Sequence, residues 1–276
     1  MMERVARPMQ KFMAVLALVF VLAAKAALAE APATVFLEQL TWTELKDQIG
    51  AGKTTILVPI GGVEQSGPDM ALGKHDVRVK ALSEKIAVQL GNALVAPVIA
   101  YVPEGSVSPP TAHMRFPGTI TVPDQTFETV LEYAARSFKL AGFRDIVFLG
   151  DHGGYQRDEQ VVADRLNREW KKSETRVHAL PEYYRTTQGD YVLALERKGY
   201  SAAEIGSHAG LADTSLMLAV DPGLVRTDRL STDARLTAAE GVYGDPRRSS
   251  AALGQLGVDL IVARTVEAIK KAEAQR

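Results

Sequence analysis

The fold is decided by residues 55–90, which have the sequence TILVPIGGVEQSGPDMALGKHDVRVKALSEKIAVQL. The first six residues, Thr55–Ile60, form an apolar run of strand length, and from Val77 to Leu90 apolar residues recur at helical spacing. A loop rich in glycine and proline joins the two segments. A continuous apolar strand is typical of a sheet that is covered on both faces. This stretch therefore predicts a buried strand followed by an amphipathic helix.

The alternation of strands and helices continues toward the C-terminus. Further strands are predicted at Ala93–Tyr101, Asp145–Leu149 and Thr175–Leu180. Further helices are predicted at Asp124–Leu140, Asp158–Lys171 and Leu253–Ala274. Apolar strands that alternate with helices indicate an α/β domain whose largely parallel sheet is covered on both faces. In such folds ligands bind beyond the carboxyl ends of the strands, so the residues after Ile60 and Leu149 are the first candidates for a site.

The N-terminus has the pattern of a secretory signal peptide. Basic residues precede an uncharged apolar run at residues 12–24, and Ala27–Ala29 provides a small-residue cleavage site. The run is too short to span a hydrocarbon core of about 30 Å comfortably. We therefore expect removal of residues 1–29 and a periplasmic or secreted mature domain, residues 30–276. An uncleaved membrane anchor is the alternative, and N-terminal sequencing of the recovered protein distinguishes the two.

Composition and charge exclude several kinds of partner. The formal net charge of the 276-residue chain is −1, which gives no electrostatic footprint for nucleic acid or anionic lipid. No second apolar stretch of membrane-spanning length follows the first. The chain has no cysteine, so a metal ion would be held by His, Asp or Glu. We expect no nucleic-acid partner, and no membrane contact after signal cleavage.

Two glycine-rich segments follow predicted strands and carry the first candidate site residues. In the first, Glu64 and His75 lie in a loop whose glycines let the backbone approach a ligand closely. An ordinary polar turn with Asp76 as a helix cap is the alternative. In the second, LGDHGGYQ, His152 follows a strand and lies next to a carboxylate, as in many metal ligands and general bases. A histidine that only completes a strand-to-helix turn is the alternative there.

Two further histidines lie in short motifs. His208 and Asp213 are five residues apart in the segment SHAGLADTS. A helix that begins near Gly210 would direct its N-terminus at the site and favour negative charge there. A hydrogen-bonded histidine at an ordinary helix start is the alternative. His113 begins the segment HMRFPGTI, which by itself indicates a turn.

Together these segments resemble the creatininase (creatinine amidohydrolase) family. Five motifs occur in the family's order, and four of the chain's five histidines lie within them. In this chain the motifs are Glu64–His75, His113–Thr119, Asp151–Gly154, His208–Ser215 and Gly241–Pro246. One such motif would be weak support for the resemblance. Five motifs in order are strong support, because they extend over nearly the whole mature chain.

Three positions depart from the family pattern. Ser66 stands where members usually have a metal-binding histidine, and His75 stands where they usually have a metal-bridging aspartate. Gly154 stands where creatininase itself has a glutamate. Two ligands of a second metal ion are therefore missing, and an imidazole bridges two cations poorly because it lacks the two oxygens of a carboxylate. We expect one metal ion per subunit.

The resemblance implies a three-layer α/β sandwich, a homo-oligomer that is often a hexamer, and hydrolysis of a C–N bond in a small, possibly cyclic amide. Light scattering tests the oligomer. Glu64, His75 and His152 are the expected ligands of a divalent ion, Zn²⁺ first and Mn²⁺ as the alternative. Such an ion lowers the pKa of bound water toward ~7 and polarises the carbonyl. His208 is the expected proton-transfer residue. Asp213 is expected either to orient His208 or to help hold the water.

Two other functions share this site. One is a periplasmic metal or small-ligand binding protein without turnover, which the missing second metal site motivates. The other is a lactonase or peptidase, in which the scissile bond differs. The sequence does not distinguish substrates, and it leaves open whether Tyr183, Tyr184 or Tyr243 lines a pocket.

Overall fold

Four parallel strands form the central sheet of the computed structural model, which describes residues 33–230 and 236–275. The strands are β1 (Thr55–Ile60), β2 (Ala93–Val95), β3 (Asp145–Gly150) and β4 (Arg176–Ala179), in the order β2-β1-β3-β4. Strand β1 pairs with β3 over its full length, ending with Ile60 opposite Gly150. The residues that follow these two strands therefore leave the sheet side by side.

Helices connect the strands and cover the sheet. They are α1 (Trp42–Gly50), α2 (Lys74–Leu90), α3 (Asp124–Ala141), α4 (Gln156–Glu169), α5 (Glu182–Gln188), α6 (Asp190–Arg197), α7 (Ala202–Ile205), α8 (Leu211–Val220), α9 (Thr227–Leu230) and α10 (Ala251–Ala274). Short 3₁₀ helices lie at Leu37–Gln39, Ala112–Arg115, Pro222–Leu224, Ala238–Glu240 and Pro246–Arg248. Within the described part of the chain, no helix is long and apolar enough to cross a membrane.

The sheet buries an apolar layer on each face. Successive residues of a strand point to opposite faces. In β1, Ile56 and Val58 pack with residues of α3 and α4, whereas Leu57 packs with residues of α2 and α10. Every residue of β1 and of β3 is buried. The predicted α/β fold, with helices on both faces of a parallel sheet, is confirmed.

The described residues begin after the predicted signal peptide. Residues 1–29 lie outside them, so cleavage after Ala29 stays a prediction. From Thr34 onward the chain forms one compact unit. This unit contains all the motifs that carry the candidate site.

Helix α2 begins at Lys74, three residues before the predicted start. Asp76 does not cap this helix, since it lies in the first turn and its Oδ1 accepts a hydrogen bond from the Gly62 amide at 2.8 Å. The earlier start makes Lys74 and His75 helical residues, one turn before Arg78. All three side chains are buried, and α2 therefore contributes them to the region where the strands end.

The predicted strand Ala93–Tyr101 is shorter in the structure, where β2 covers only its first three residues. Pro97 lacks the amide proton that a ladder needs. The chain nevertheless stays beside β1, because the Ile99 amide donates to the Pro59 carbonyl at 3.0 Å. The following residues thus reach the carboxyl end of the sheet, and Glu104 is one of them.

Glu159 on α4 is a buried carboxyl group that should make stability depend on pH. Its Oε1 has no hydrogen-bond partner among the described residues. Burial, together with Asp158, raises the pKa of Glu159 well above 4.5. Above about pH 4.5 the unfolded chain releases this proton while the folded chain keeps it, so the wild-type protein loses stability as the pH rises toward the folded pKa. We expect Glu159→Gln to remove this loss.

The expected stability gain of Glu159→Gln over wild type grows by up to about 1.4 kcal/mol per pH unit. Urea unfolding between about pH 5 and pH 8 measures it. Glu174→Gln is the control for the loss of a carboxylate at the surface, since the Glu174 side chain is 79% exposed. A pH-independent effect of Glu159→Gln would contradict the prediction.

Candidate functional site

The loops after β1 and β3 line one cavity of about 590 Å³. Its wall contains four of the five histidines, His75, His113, His152 and His208. Glu64 has no exposed surface, and it lies within 3.7 Å of a ring nitrogen of each histidine. Motifs that are far apart in the chain therefore meet around one carboxylate.

The two oxygens of Glu64 have different surroundings. Oε1 is 2.7 Å from His75 Nε2 and 3.4 Å from Lys74 Nζ. Oε2 is buried and has no hydrogen-bond partner within the described ranges. Burial acts to raise the pKa of Glu64, but Lys74 and His75 outweigh it and hold the pKa well below its usual range. Glu64 is thus a carboxylate with one engaged and one available oxygen.

His75 lies between two carboxylates. Its Nε2 contacts Glu64 Oε1, and its Nδ1 is 2.5 Å from Asp151 Oδ2. Burial and Lys74 act to lower the pKa of His75, but the two carboxylates raise it above its usual value. An imidazole that donates from both nitrogens is protonated and has no lone pair for a metal ion. The expected ligand role of His75 would require a change of partners, and it stays a prediction.

A buried network of charges connects α2 with the loop after β3 and the first turn of α8. Arg78 donates to Asp151 from Nε at 2.9 Å and to Asp213 from Nη1 at 2.5 Å. Lys74 donates to the second oxygen of Asp213, and the Tyr183 hydroxyl donates to Asp151 at 2.9 Å. Burial acts to raise the pKa of Asp213, but Lys74 and Arg78 outweigh it and hold the pKa well below its usual range. Asp213 is therefore held by two cations.

Gln65 orients two of the histidines. Two backbone groups fix its side-chain amide, so its Nε2 donates to His113 Nδ1 at 2.9 Å. The Gln65 backbone carbonyl accepts from His208 Nε2 at 2.9 Å. His113 therefore carries its ring proton on Nε2, and His208 has its free lone pair on Nδ1. Burial and Lys74 lower the pKa of His208 to about 3, so its ring is neutral at neutral pH.

Glu104 is a site residue that the sequence analysis missed. It is 4% exposed, and no N–H or hydroxyl group in the described part of the chain donates to either of its carboxyl oxygens. Its Oε1 lies 3.8 Å from His152 Nδ1. Burial and the Glu64 carboxylate raise the pKa of Glu104 to about 9. Two neighbouring buried acids are stabilised by a cation between them. A lone glutamate between Pro103 and Gly105 carries no motif spacing that would have identified it.

The donor atoms fit a divalent cation. Among the described residues, two groups of three have donor atoms within 4.8 Å of one another, Glu64 with Glu104 and His152, and Glu64 with His113 and His208. The first group contains three buried carboxyl oxygens to which no described N–H or hydroxyl group donates. Burial lowers the pKa of His152 to about 4, so this ring is neutral at neutral pH. The Gly154 amide donates to its Nδ1 at 3.2 Å. The first group has two carboxylates, which balance the charge of a divalent cation better than one does, so it is the better metal site.

The structure thus brings Glu64, His75, His152 and His208 together in the wall of one cavity. The Asp213 carboxylate accepts hydrogen bonds from Lys74, Arg78 and the Ala209 amide. Among the described contacts it makes no hydrogen bond to the ring of His208. The predicted helix start near Gly210 is confirmed by α8. Tyr184 and Tyr243 line the cavity, whereas Tyr183 is fully buried.

Both the sequence and the fold of this chain are similar to those of known proteins. A family model described as creatininase, creatinine amidohydrolase, matches residues 38–269. A creatinine amidohydrolase of Pseudomonas putida is 25% identical over 257 residues, which cover 86% of this chain and 97% of that protein. A mycofactocin precursor peptide peptidase of Mycolicibacterium smegmatis is 27% identical over 234 residues, covering 77% and 83%. A solved structure of creatinine amidohydrolase has a TM-score of 0.71 at 24% identity, covering 87% and 98%. Further creatininase structures of this fold are described as Zn-Zn and Mn forms.

Proposed function

Because the chain belongs to the creatininase family of amidohydrolases, we propose that it is a metal-dependent hydrolase that cleaves the C–N bond of a small, possibly cyclic amide. One observation carries the proposal: Glu64, Glu104 and His152 meet, and their buried carboxyl oxygens and neutral imidazole suit one divalent cation. Zn²⁺ is proposed first and Mn²⁺ second, since both ions occur in descriptions of related structures.

The third protein ligand is either His75, as expected from the sequence, or Glu104. The geometry favours Glu104, because both ring nitrogens of His75 contact carboxylates, whereas no described N–H or hydroxyl group donates to either Glu104 oxygen. Metal content of His75→Ala and Glu104→Gln distinguishes the two, since only the variant that lacks the ligand should lose the ion.

The chain's own residues account for the proton transfers that amide hydrolysis needs. A divalent cation at this site supplies an activated water and polarises the substrate carbonyl. His208 is neutral, and its Nδ1 lies 3.5 Å from Glu64 Oε1 at the same end of the cavity. The Gln65 carbonyl holds the other ring nitrogen, which keeps the ring oriented. His208 is therefore placed, by its position next to Glu64, to take part in proton transfer to the leaving nitrogen.

Metal analysis followed by a hydrolysis screen tests the proposed function. We expect about one ion per chain, and turnover of an amide that stops with chelator and returns with added metal. The screen should include cyclic amides, lactones and short peptides, since one relative is a peptidase. Tight metal binding without turnover would favour a binding protein. Turnover of lactones alone would mean that the enzyme cleaves an ester C–O bond and not an amide C–N bond. A protein that binds no metal would contradict the proposal.

A further inference from the structure

Lys74 is a buried cation in the wall of the cavity. Its side chain is 1% exposed, its ammonium lies 3.4 Å from Glu64 Oε1, and it forms an ion pair with Asp213. Burial of an ammonium is costly unless carboxylates compensate it. This position is therefore built around one positive charge between two carboxylates.

The groups around this ammonium are ones that a metal ion would also take. Glu64 and Asp213 supply carboxylate oxygens. His208 Nδ1, whose lone pair is free because the Gln65 carbonyl holds the opposite N–H, lies 3.5 Å from the same oxygen of Glu64. Carboxylate oxygens and imidazole nitrogens are ligands that Zn²⁺ and Mn²⁺ take in proteins. Lys74 lies between the two carboxylates and supplies the positive charge itself.

Glu64 therefore faces two different cation positions. Its Oε1 contacts the side chains of Lys74 and His75, both from α2. Its Oε2 has no hydrogen-bond partner in the described part of the chain and faces the donors proposed for a metal. We infer that the Lys74 ammonium takes the place of a second metal ion, so that α2 limits the chain to one ion per site. The inference rests on the proposed function for the first ion.

The test counts metal ions by titration calorimetry with Mn²⁺ or Zn²⁺ alone, on chelator-treated protein. Lys74→Ala removes the charge and leaves space among the donors, and we expect it to bind about one ion more than wild type. Lys74→Met removes the charge but keeps most of the side-chain volume. We expect this variant to bind the wild-type number of ions at least about tenfold more tightly, because the repulsion between ammonium and metal is lost.

The matched control is Lys80→Met on the same helix. Lys80 is 41% exposed and pairs with Glu38, so this variant should keep both the number and the affinity of the wild type. Thermal unfolding verifies that each variant is folded. Both Lys74 variants leave Asp213 with Arg78 and the Ala209 amide as partners, which limits the cost of removing the lysine.

Either of two results overturns the inference: a wild-type number of ions in Lys74→Ala, or a wild-type affinity in Lys74→Met. Failure of the proposed function is measured separately, on the wild-type protein, as an absence of bound metal. An ion gained by Lys74→Ala when wild type binds none would still support the role of Lys74. If neither protein binds an ion, both proposals fail.

Discussion

Replacing His152 with alanine should reduce the metal content from about one ion per chain to near zero and lower amide hydrolysis by at least about a hundredfold. Its two ring nitrogens lie 3.7 Å from Glu64 Oε2 and 3.8 Å from Glu104 Oε1, so the ring completes the donor set on one side. Loss of a residue that hydrogen-bonds to a metal ligand already lowers metal affinity or activity by about 10–100-fold. Loss of the ligand itself should lower both by more. Elemental analysis and steady-state kinetics measure the two effects.

His178→Ala is the matched control for this prediction. His178 is also a partly buried histidine beside a carboxylate, with Nε2 2.9 Å from Asp145 Oδ1, but it belongs to β4 and does not line the cavity. Its side chain is 14% exposed, compared with 21% for His152. We expect full metal content in this variant. Equal metal content in the two variants would exclude His152 as a ligand.

Replacing Asp151 with alanine should lower the free energy of unfolding by about 3–5 kcal/mol, the usual cost of removing one partner from a buried ion pair. Asp151 is 2% exposed. It accepts hydrogen bonds from Arg78, His75 and the Tyr183 hydroxyl. Without it, the buried Arg78 guanidinium keeps only Asp213 as a carboxylate partner among the described contacts. Urea unfolding of metal-free protein measures the effect apart from any loss of ligand binding.

An exposed ion pair provides the comparison for Asp151. Asp190 pairs with Arg264 at 2.7 Å, with side chains 42% and 52% exposed. We expect Asp190→Ala to change stability by no more than about 1 kcal/mol, because water screens the pair. The loss of stability in Asp151→Asn should lie between those of Asp151→Ala and Asp190→Ala, since asparagine keeps the shape of the side chain but loses its charge. Similar losses for Asp151→Ala and Asp190→Ala would mean that the buried network does not stabilise the fold.

The sequence by itself determined the architecture, because the decisive signals are local. An apolar run at Thr55–Ile60 and another at Asp145–Leu149 could belong only to buried strands of a covered sheet, and both strands lie there. The helix predicted at Asp124–Leu140 is α3 in the structure, where Gly142 is the left-handed residue that follows it. The two strand ends then indicated where Glu64 and His152 would meet.

The tertiary structure alone decided which partner each site residue has. The contact between Asp76 and the Gly62 amide, fourteen residues apart, accompanies an earlier start of α2 and places Lys74 among the site residues. His75 was expected to bind metal, but its two nitrogens meet carboxylates from different loops. Glu104 reaches the site because the chain continues beside β1 after Pro97. Protonation and ligand binding depend on distances between groups that lie far apart in the chain, and no local pattern contains those distances.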